Sequence, residues 1–325
     1  MQTIDIIIPV HNRPQVLRQA LQALARQSMP QSWHATIMVV SDGGSPYIAD
    51  VAAQAIGQAP ATQTIEHAAI PKGGVARARN YGLAISSAPL VMFLGADILL
   101  RPKALHSHIY FHLRHPQPEA AALGAVKWDP RLPPSPFMEW MVHGGPQNNF
   151  DAILGKQIVN PAQYFFASHI SLKRAVLPRQ PFSEDFNGYG WEDLDLGERL
   201  VKKGLKLHFL SDTIGLHQHA YSASDIYRRQ ESVGKNFIVF SAKHKVAGSP
   251  RLTKYRRFRL MLVRYTGAIW LLKIFLAYIE KTHSFPKVFT WITAFQFWFG
   301  LWKAQLVKGA KIGQKGGKWP LFQNK

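Results

Sequence analysis

Residues Thr3–Val10 form an almost unbroken apolar run, and it limits the folds open to this chain more than any other feature. A strand with apolar residues at consecutive positions must bury both faces, as an inner strand of a parallel sheet covered by helices does. Pro9 cannot donate to a ladder and marks the C-terminal end of that strand. Pro14 then opens a helix whose apolar residues, Val16, Leu17, Ala20, Leu21 and Leu24, share one face. The alternation continues. A second strand, Thr36–Val40, stops at Ser41-Asp42-Gly43-Gly44-Ser45-Pro46, and Gly73-Gly74 precedes a helix reaching Ala84. A third buried strand, Leu90–Leu94, ends on Gly95-Ala96-Asp97. A helix beginning near Glu192 stops at Gly204, and a short strand, Lys206–Leu210, leads to His217 and His219. This pattern predicts an α/β domain with a mainly parallel, Rossmann-like central sheet and flanking helices.

Between Trp128 and Tyr164 the chain is irregular and rich in Pro, Gly and Asn, which reads as a long functional loop region. After about residue 222 it turns helix-forming, basic and aromatic, so the chain is expected to divide into an α/β domain over residues 1–221 and a helical, membrane-associating region over residues 222–325. Of the net charge of +20, the segment Arg251–Lys325 carries +14, with Glu280 its single acid. The front of the chain is an ordinary globular surface and the back is a polycation, which suits an anionic membrane surface, a nucleic acid or an acidic substrate. The longest uncharged stretch there, Val288–Trp302, has fifteen residues, against the roughly 20 that a spanning helix needs. A helix lying in the membrane interface fits it better. A packed helical lid is the alternative for the aromatics, though it leaves the interspersed cations without a reason. The chain contains no cysteine, which excludes a disulfide scaffold, a thiolate metal site and a Cys nucleophile. Its first residues run straight into a strand with no visible signal peptide, so the expected location is the cytoplasm, with peripheral attachment to the inner face of the cell membrane.

Ligands of open α/β sheets bind at the carboxyl ends of the strands. Asp42 and Asp97 stand there. Asp42, beside two glycines, also fits a turn-former. Asp97 follows five apolar residues, where desolvating a carboxylate is costly unless a cation or donor is near. A second cluster is Gly188-Tyr189-Gly190-Trp191-Glu192-Asp193. Adjacent acids at a helix start suit the macrodipole. The glycines around two bulky rings suggest a backbone close to a ligand, with Tyr189 and Trp191 available to stack on the apolar face of a sugar. A carboxylate beside such rings is a natural general base for a hydroxyl. His217, after a strand, is a candidate metal ligand.

Five motifs stand in order: Ile-Ile-Ile-Pro-Val-His-Asn-Arg (6–13), Val-Val-Ser-Asp-Gly-Gly-Ser (39–45), Gly-Gly-Val-Ala-Arg-Ala-Arg-Asn-Tyr-Gly (73–82), Phe-Leu-Gly-Ala-Asp (93–97) and Gly-Trp-Glu-Asp-Leu-Asp-Leu (190–196). Together they resemble family 2 glycosyltransferases of the GT-A fold. The tract around Trp191 is similar to the C-terminal motif of galactosyltransferase-type catalytic domains. The resemblance covers roughly residues 3–220. It implies an inverting transferase that moves a sugar from a nucleotide-sugar, a UDP-sugar foremost, to a hydroxyl of a glycan or lipid-linked acceptor in cell-surface polysaccharide or glycolipid synthesis. By position, it implies that Pro9, Val10 and Asp42 hold the nucleobase and that Arg79 and Asn80 lie beside the nucleotide. It makes Asp97 the last acid of an Asp-X-Asp motif, holding Mn²⁺ or Mg²⁺ against the diphosphate, with His217 joining the metal shell. It makes Asp193 the catalytic base and gives Glu192 the task of positioning the acceptor. Two positions depart from the pattern: Gly95 replaces the first acid of Asp-X-Asp, and Ser41 stands where relatives often have Asp. The alternatives are a catalytically degenerate protein that binds its sugar nucleotide, motivated by Gly95, and a basic RNA-binding protein, against which the mixing of cations with large apolar side chains counts. A dinucleotide oxidoreductase would need a glycine fingerprint after the first strand, where this chain has Pro-Val-His-Asn-Arg-Pro.

Overall fold

A computed structural model of the chain describes residues 1–133, 136–142, 150–221, 223–244 and 294–303. They divide into two compact units. One contains Met1–Leu132, Ala152–Glu184 and Glu192–His219; the other takes Pro133–Asp151, Asp185–Trp191 and the described residues from Ala220 onward.

The first unit is an α/β domain with, among the described residues, nine strands: β1 (Gln2–Val10), β2 (Trp33–Asp42), β3 (Gln63–Ile70), β4 (Leu90–Leu94), β5 (Ile98–Leu100), β6 (Ala120–Trp128), β7 (Ile158–Val159), β8 (His169–Lys173) and β9 (Lys206–His217). They form one sheet in the order β3-β2-β1-β4-β8-β6-β9-β5, with β7 pairing on β9. Strands β1 to β4 are mutually parallel, β8 runs antiparallel to β4 and β6, and β6 is parallel to β9. The helices of this unit are α1 (Pro14–Ala25), α2 (Tyr47–Ile56), α3 (Val75–Ile85), α4 (Ala104–Arg114), α6 (Pro161–Tyr164) and α7 (Glu192–Val201). The apolar run of β1 does what its pattern demands: Ile4, Ile6, Ile7 and Ile8 are wholly buried. In α1 the buried residues are Leu17, Ala20, Leu21 and Leu24, the stripe at helical spacing, and Pro14 sits in its first turn, where its missing N–H costs nothing.

Strand order fixes where a ligand can enter. The chain goes outward from β1 to β2 and β3, then returns to lay β4 on the other side of β1. That reversal makes a crevice at the carboxyl ends of β1 and β4. β3 was not legible as a strand. Its burial alternates imperfectly (Glu66 exposed, His67 half-buried) because it is the sheet's edge. The strand expected at Lys206–Leu210 continues to His217, past an irregularity opposite Gly124 and Ala125 where Ser211 and Asp212 face solvent.

A histidine cluster lies inside this unit, between α4 and β8. His108 Nδ1 shares a 2.7 Å hydrogen bond with Ser171 Oγ, and His112 Nε2 shares one of 2.9 Å with the same hydroxyl. His108 Nε2 faces His169 Nε2 at 3.2 Å, and His169 Nδ1 lies 3.2 Å from Ala125 O. Gly124 makes room: a Cβ there would collide with the His169 ring. Lys173 Nζ donates to His115 O and sits 3.2 Å from His112 Nδ1, and His115 and His208 close the cluster.

The second unit contains α5 (Pro136–Val142), α8 (Ala223–His244) and a helical stretch over residues 294–303. Gly234 lets Phe297 O approach α8, and Gly300 lets Glu231 O approach in return; a Cβ at either glycine would strike that carbonyl. Phe297, Phe299 and Leu301 are buried, and Lys303 Nζ meets Glu231 Oε1 at 2.7 Å. This is the only part of Val288–Trp302 within the described residues; the rest of the expected interfacial helix, and most of Arg251–Lys325, lies outside them. Among the described residues no helix is long and apolar enough to cross a membrane.

Candidate active site

Asp97 stands in the turn joining β4 to β5, at the reversal crevice. Two backbone bonds hold the turn, Gly95 N to Ser168 O at 2.9 Å and Ile98 N to Gly95 O at 3.0 Å. The glycine at 95 has a steric reason: its Cβ would come within 2.9 Å of Asp97 Oδ1. The β5–β9 register sets His217 opposite Ile98, so His217 Nε2 reaches Asp97 Oδ2 at 3.3 Å. Arg13 Nη1 approaches the same oxygen at 3.6 Å, and its Nη2 lies 3.1 Å from His219 Nε2. Burial alone would raise the Asp97 pKa, but the His217 hydrogen bond and the charges of His217, Arg13 and His219 outweigh it and hold the carboxyl at about 2. Asp97 is therefore an anion throughout the neutral range. Among the described residues no group of three or more His, Asp or Glu could hold a metal by itself. One hard carboxylate plus one imidazole, with the carboxylate partly open to solvent, is nonetheless a donor set that fits Mn²⁺ or Mg²⁺ when substrate phosphates supply further ligands.

Pro9 and Val10 close β1, with Val10 paired to Ser41 of β2. Asp42 ends β2 buried, and its carboxylate accepts from Gly73 N at 2.6 Å and Gly74 N at 2.9 Å, just before α3. The turn-former reading thus describes its present contacts. Gly44 lies so close to His11 O that no side chain fits there. Ser41 Oγ shares a 2.7 Å hydrogen bond with His67 Nε2.

Arg79 and Asn80 are buried residues of α3. Arg79 Nη1 donates to Glu192 Oε1 at 2.9 Å, its Nη2 to Ala167 O at 3.3 Å, and its guanidinium lies over the Phe182 ring. Asn80 exchanges hydrogen bonds with the Phe182 backbone, donating at 2.8 Å and accepting at 3.0 Å. Both residues brace α3 against the chain that leads into α7.

Asp193 lies in the first turn of α7, accepting from its neighbour Leu194 N at 2.8 Å and from the backbone of Ala167. Burial first, and then the Glu192 charge, raise its pKa; Arg79 and the two backbone donors pull it back, leaving it at about 7. A carboxyl poised at neutrality can take a proton from a hydroxyl and release it again. The consecutive residues Ala167 and Ser168 therefore tie Asp193, Arg79 and the Asp97 turn to one short segment ahead of β8. No residue pattern marks that segment, and the sequence reading missed it. It also gave Arg13 no role, although that residue closes the first motif.

Tyr189 and Trp191 belong to the second unit. Gly188, Gly190 and Trp191 all adopt positive φ, which explains the two glycines through backbone conformation. A Cβ at Gly188 would also meet Ser232 Oγ at 2.6 Å. Trp191 is buried: its indole N–H donates to Val233 O at 2.9 Å and its ring packs on Phe237 and Phe240. Tyr189 is half-exposed, with the Arg229 guanidinium 4.1 Å from its ring centre.

Residues 5–158 match the family described as glycosyl transferase family 2. The chain is 28% identical over 249 residues to a validoxylamine A glucosyltransferase of Streptomyces hygroscopicus subsp. limoneus, covering 68% of this chain and 53% of that protein. It thus spans about half the length of the curated relatives it matches. Among solved structures, a mannosyltransferase from Pyrobaculum calidifontis in complex with GDP-Man and Mn²⁺ superimposes with a TM-score of 0.61 at 16% identity, over 94% of this chain and 87% of that one. Residues 1–349 of S. aureus TarS, in complex with UDP, superimpose with a TM-score of 0.51 at 14% identity, over 95% and 92%. At such identities the likeness is one of fold, and the fold is that of GT-A glycosyltransferases.

Proposed function

We propose, from the match of residues 5–158 to glycosyl transferase family 2, that this chain is a member of that family and moves a sugar from a nucleotide-sugar to an acceptor hydroxyl with inversion. The observation that carries this reading is one short segment, Ala167–Ser168, bonded both to the Asp97 turn and to Asp193. A permanently ionised carboxylate at a strand end and a carboxyl poised near neutrality are the two groups such a transfer needs.

Pro9, Val10 and Asp42, at the ends of β1 and β2, would border the nucleobase. Asp97 and His217 would hold Mn²⁺ or Mg²⁺. When bound, the ion supplies Lewis-acid neutralisation of the charge that builds on the departing diphosphate. Asp193 accepts the proton of the acceptor hydroxyl as its oxygen bonds to the anomeric carbon, while the bond from that carbon to the diphosphate oxygen breaks on the opposite side. Burial, and after it the charge of Glu192, itself held by Arg79, raises the Asp193 pKa for this work. The donor reading draws on proteins of the same fold whose structures hold UDP and GDP-Man. The test is a screen of UDP- and GDP-sugars for nucleoside diphosphate release with Mn²⁺, with Mg²⁺ and with chelator, followed by NMR of the product. Release that ignores divalent ions would remove the metal assignment, and retention of the donor's anomeric configuration would remove the inverting one. Gly95 favours one other reading, a protein that binds sugar nucleotides without turnover; binding without release under every condition would establish it.

A glycan or lipid-linked acceptor and attachment to the cytoplasmic face of the membrane are the further parts of this proposal. The acceptor class rests on the family resemblance, and the attachment on the +14 of Arg251–Lys325. Each cation near an anionic leaflet adds about 1 kcal/mol. Sedimentation with anionic vesicles at low and high salt, with RNA as competitor, tests it. Protein that ignores vesicles and binds RNA would reverse the reading.

A further inference from the structure

Arg13 has the geometry of a ligand-binding side chain that the reaction scheme leaves without work. It sits between β1 and α1 at φ 86° and ψ 59°, a left-handed conformation that residues other than glycine rarely hold. The loop around it is pinned from both sides. His11 Nδ1 bonds to Asp42 O at 2.6 Å, and Ser45 N bonds to His11 O at 3.0 Å and to Asn12 Oδ1 at 3.1 Å. So held, the loop aims the guanidinium at the candidate metal ligand, 3.6 Å from Asp97 Oδ2. A half-exposed pair at that distance adds little stability and does not account for the strained backbone. Arg131 is different: it embraces the buried Asp129 carboxylate with Nε and Nη2 and is neutralised by it. Arg13 keeps 46% of its side chain exposed.

The charge balance points the same way. With Gly95 in place of an acid, the Asp-X-Asp motif offers one carboxylate, and Arg13 cancels it. A divalent ion then leaves the site with a clear positive excess, matched to a nucleoside diphosphate. We propose that Arg13 is a second cation for the donor's diphosphate, exchanging Asp97 for phosphate oxygens when the nucleotide enters, so that binding does not depend wholly on the metal. A guanidinium fork suits this task because it offers paired N–H donors to phosphate oxygens. The inference rests on reading the Asp97 turn as the diphosphate site.

Isothermal titration of UDP, GDP and the matching monophosphates, with Mn²⁺ and with EDTA, tests it on wild type, Arg13→Gly and Arg13→Lys. Glycine suits the left-handed backbone, so Arg13→Gly removes the guanidinium while sparing the loop. In EDTA the wild type should bind the preferred nucleoside diphosphate. Arg13→Gly should weaken it about tenfold or more, the worth of a charge-assisted hydrogen bond, and the monophosphate far less; Arg13→Lys should recover part of the loss. Equal affinities for wild type and Arg13→Gly, or equal losses for diphosphate and monophosphate, would overturn the role of Arg13 while leaving the donor site standing. Wild type that binds neither nucleotide even with Mn²⁺ would remove the donor reading and this inference together.

Discussion

Asp97 and Asp193 are both acids of one chain, yet their surroundings push them to opposite ends of the carboxyl range, one to about 2 and the other to about 7. Two expectations follow from that split. Asp97→Asn should lose divalent-dependent turnover while circular dichroism and melting stay near wild type, and His217→Ala should lose less; wild-type turnover in Asp97→Asn would refute its assignment to the metal. Asp193 works only when deprotonated, so kcat/KM should rise with pH and reach half its plateau near 7. Asp193→Asn should lower the rate by roughly 10²- to 10⁴-fold with donor affinity little changed. Because the Glu192 charge helps raise that pKa, Glu192→Gln should shift the rising limb to lower pH. An unmoved limb would mean that another group titrates. The two acids could be picked out from sequence because each sits at the boundary of a periodic element. Their protonation could not be, since it depends on burial and on residues distant in the chain, His217 and Arg13 for Asp97 and Arg79 and Ala167 for Asp193.

Among the elements, α7 carries Asp193 and Glu192 at its start, and α6 fixes where that helix lies. Gly197 lets Pro161 O and Phe165 Cβ approach α7, where a Cβ would collide with both. Gly197→Ala should therefore destabilise by about 1–3 kcal/mol through overpacking, more than alanine gains in helix propensity. Urea unfolding would read this, and an unchanged midpoint would mean that the helices can part without cost. The elements legible in advance were those with one clear period: β1, α1, β2 and β4 each bury what their apolar spacing requires. β3 and the outer half of β9 were not, for a common reason. An edge strand and a strand interrupted by exposed Ser211 and Asp212 carry polar residues where the alternation would need apolar ones.

At the scale of the whole chain, the reversal of strand order beside β1 was foreseeable only as a class of fold, because sequence pattern says which segments are strands and not which are neighbours. The histidines behind the sheet were less legible still: among fourteen in the chain, nothing local distinguishes those that face one another. Burial lowers His169 to about 4 and His112 to about 3, with the Lys173 charge pressing further on His112, and it pushes His108 well below its ordinary value, helped by its two histidine neighbours. Burial lowers His208 as well, with help from His115 and Lys206. In an unfolded chain these rings would titrate near 6.5. Their folded values lie below that, so the rings' contribution to stability should be complete above about 6.5 and fall as pH drops, by about 1.4 kcal/mol per pH unit for each buried ring, while Asp193, raised to about 7, gains over the same range and offsets about one ring. Urea midpoints measured from pH 7.5 to 5.5 should show the decline, and a flat series would contradict it. The cluster also makes unfolding in weak acid a proton-absorbing reaction. Near pH 5 each of the three deeply buried rings should take up about one proton on opening, offset by the single proton that Asp193, raised to about 7 when folded, gives up. The unfolding enthalpy measured by calorimetry should then change with the ionisation enthalpy of the buffer, in proportion to that uptake.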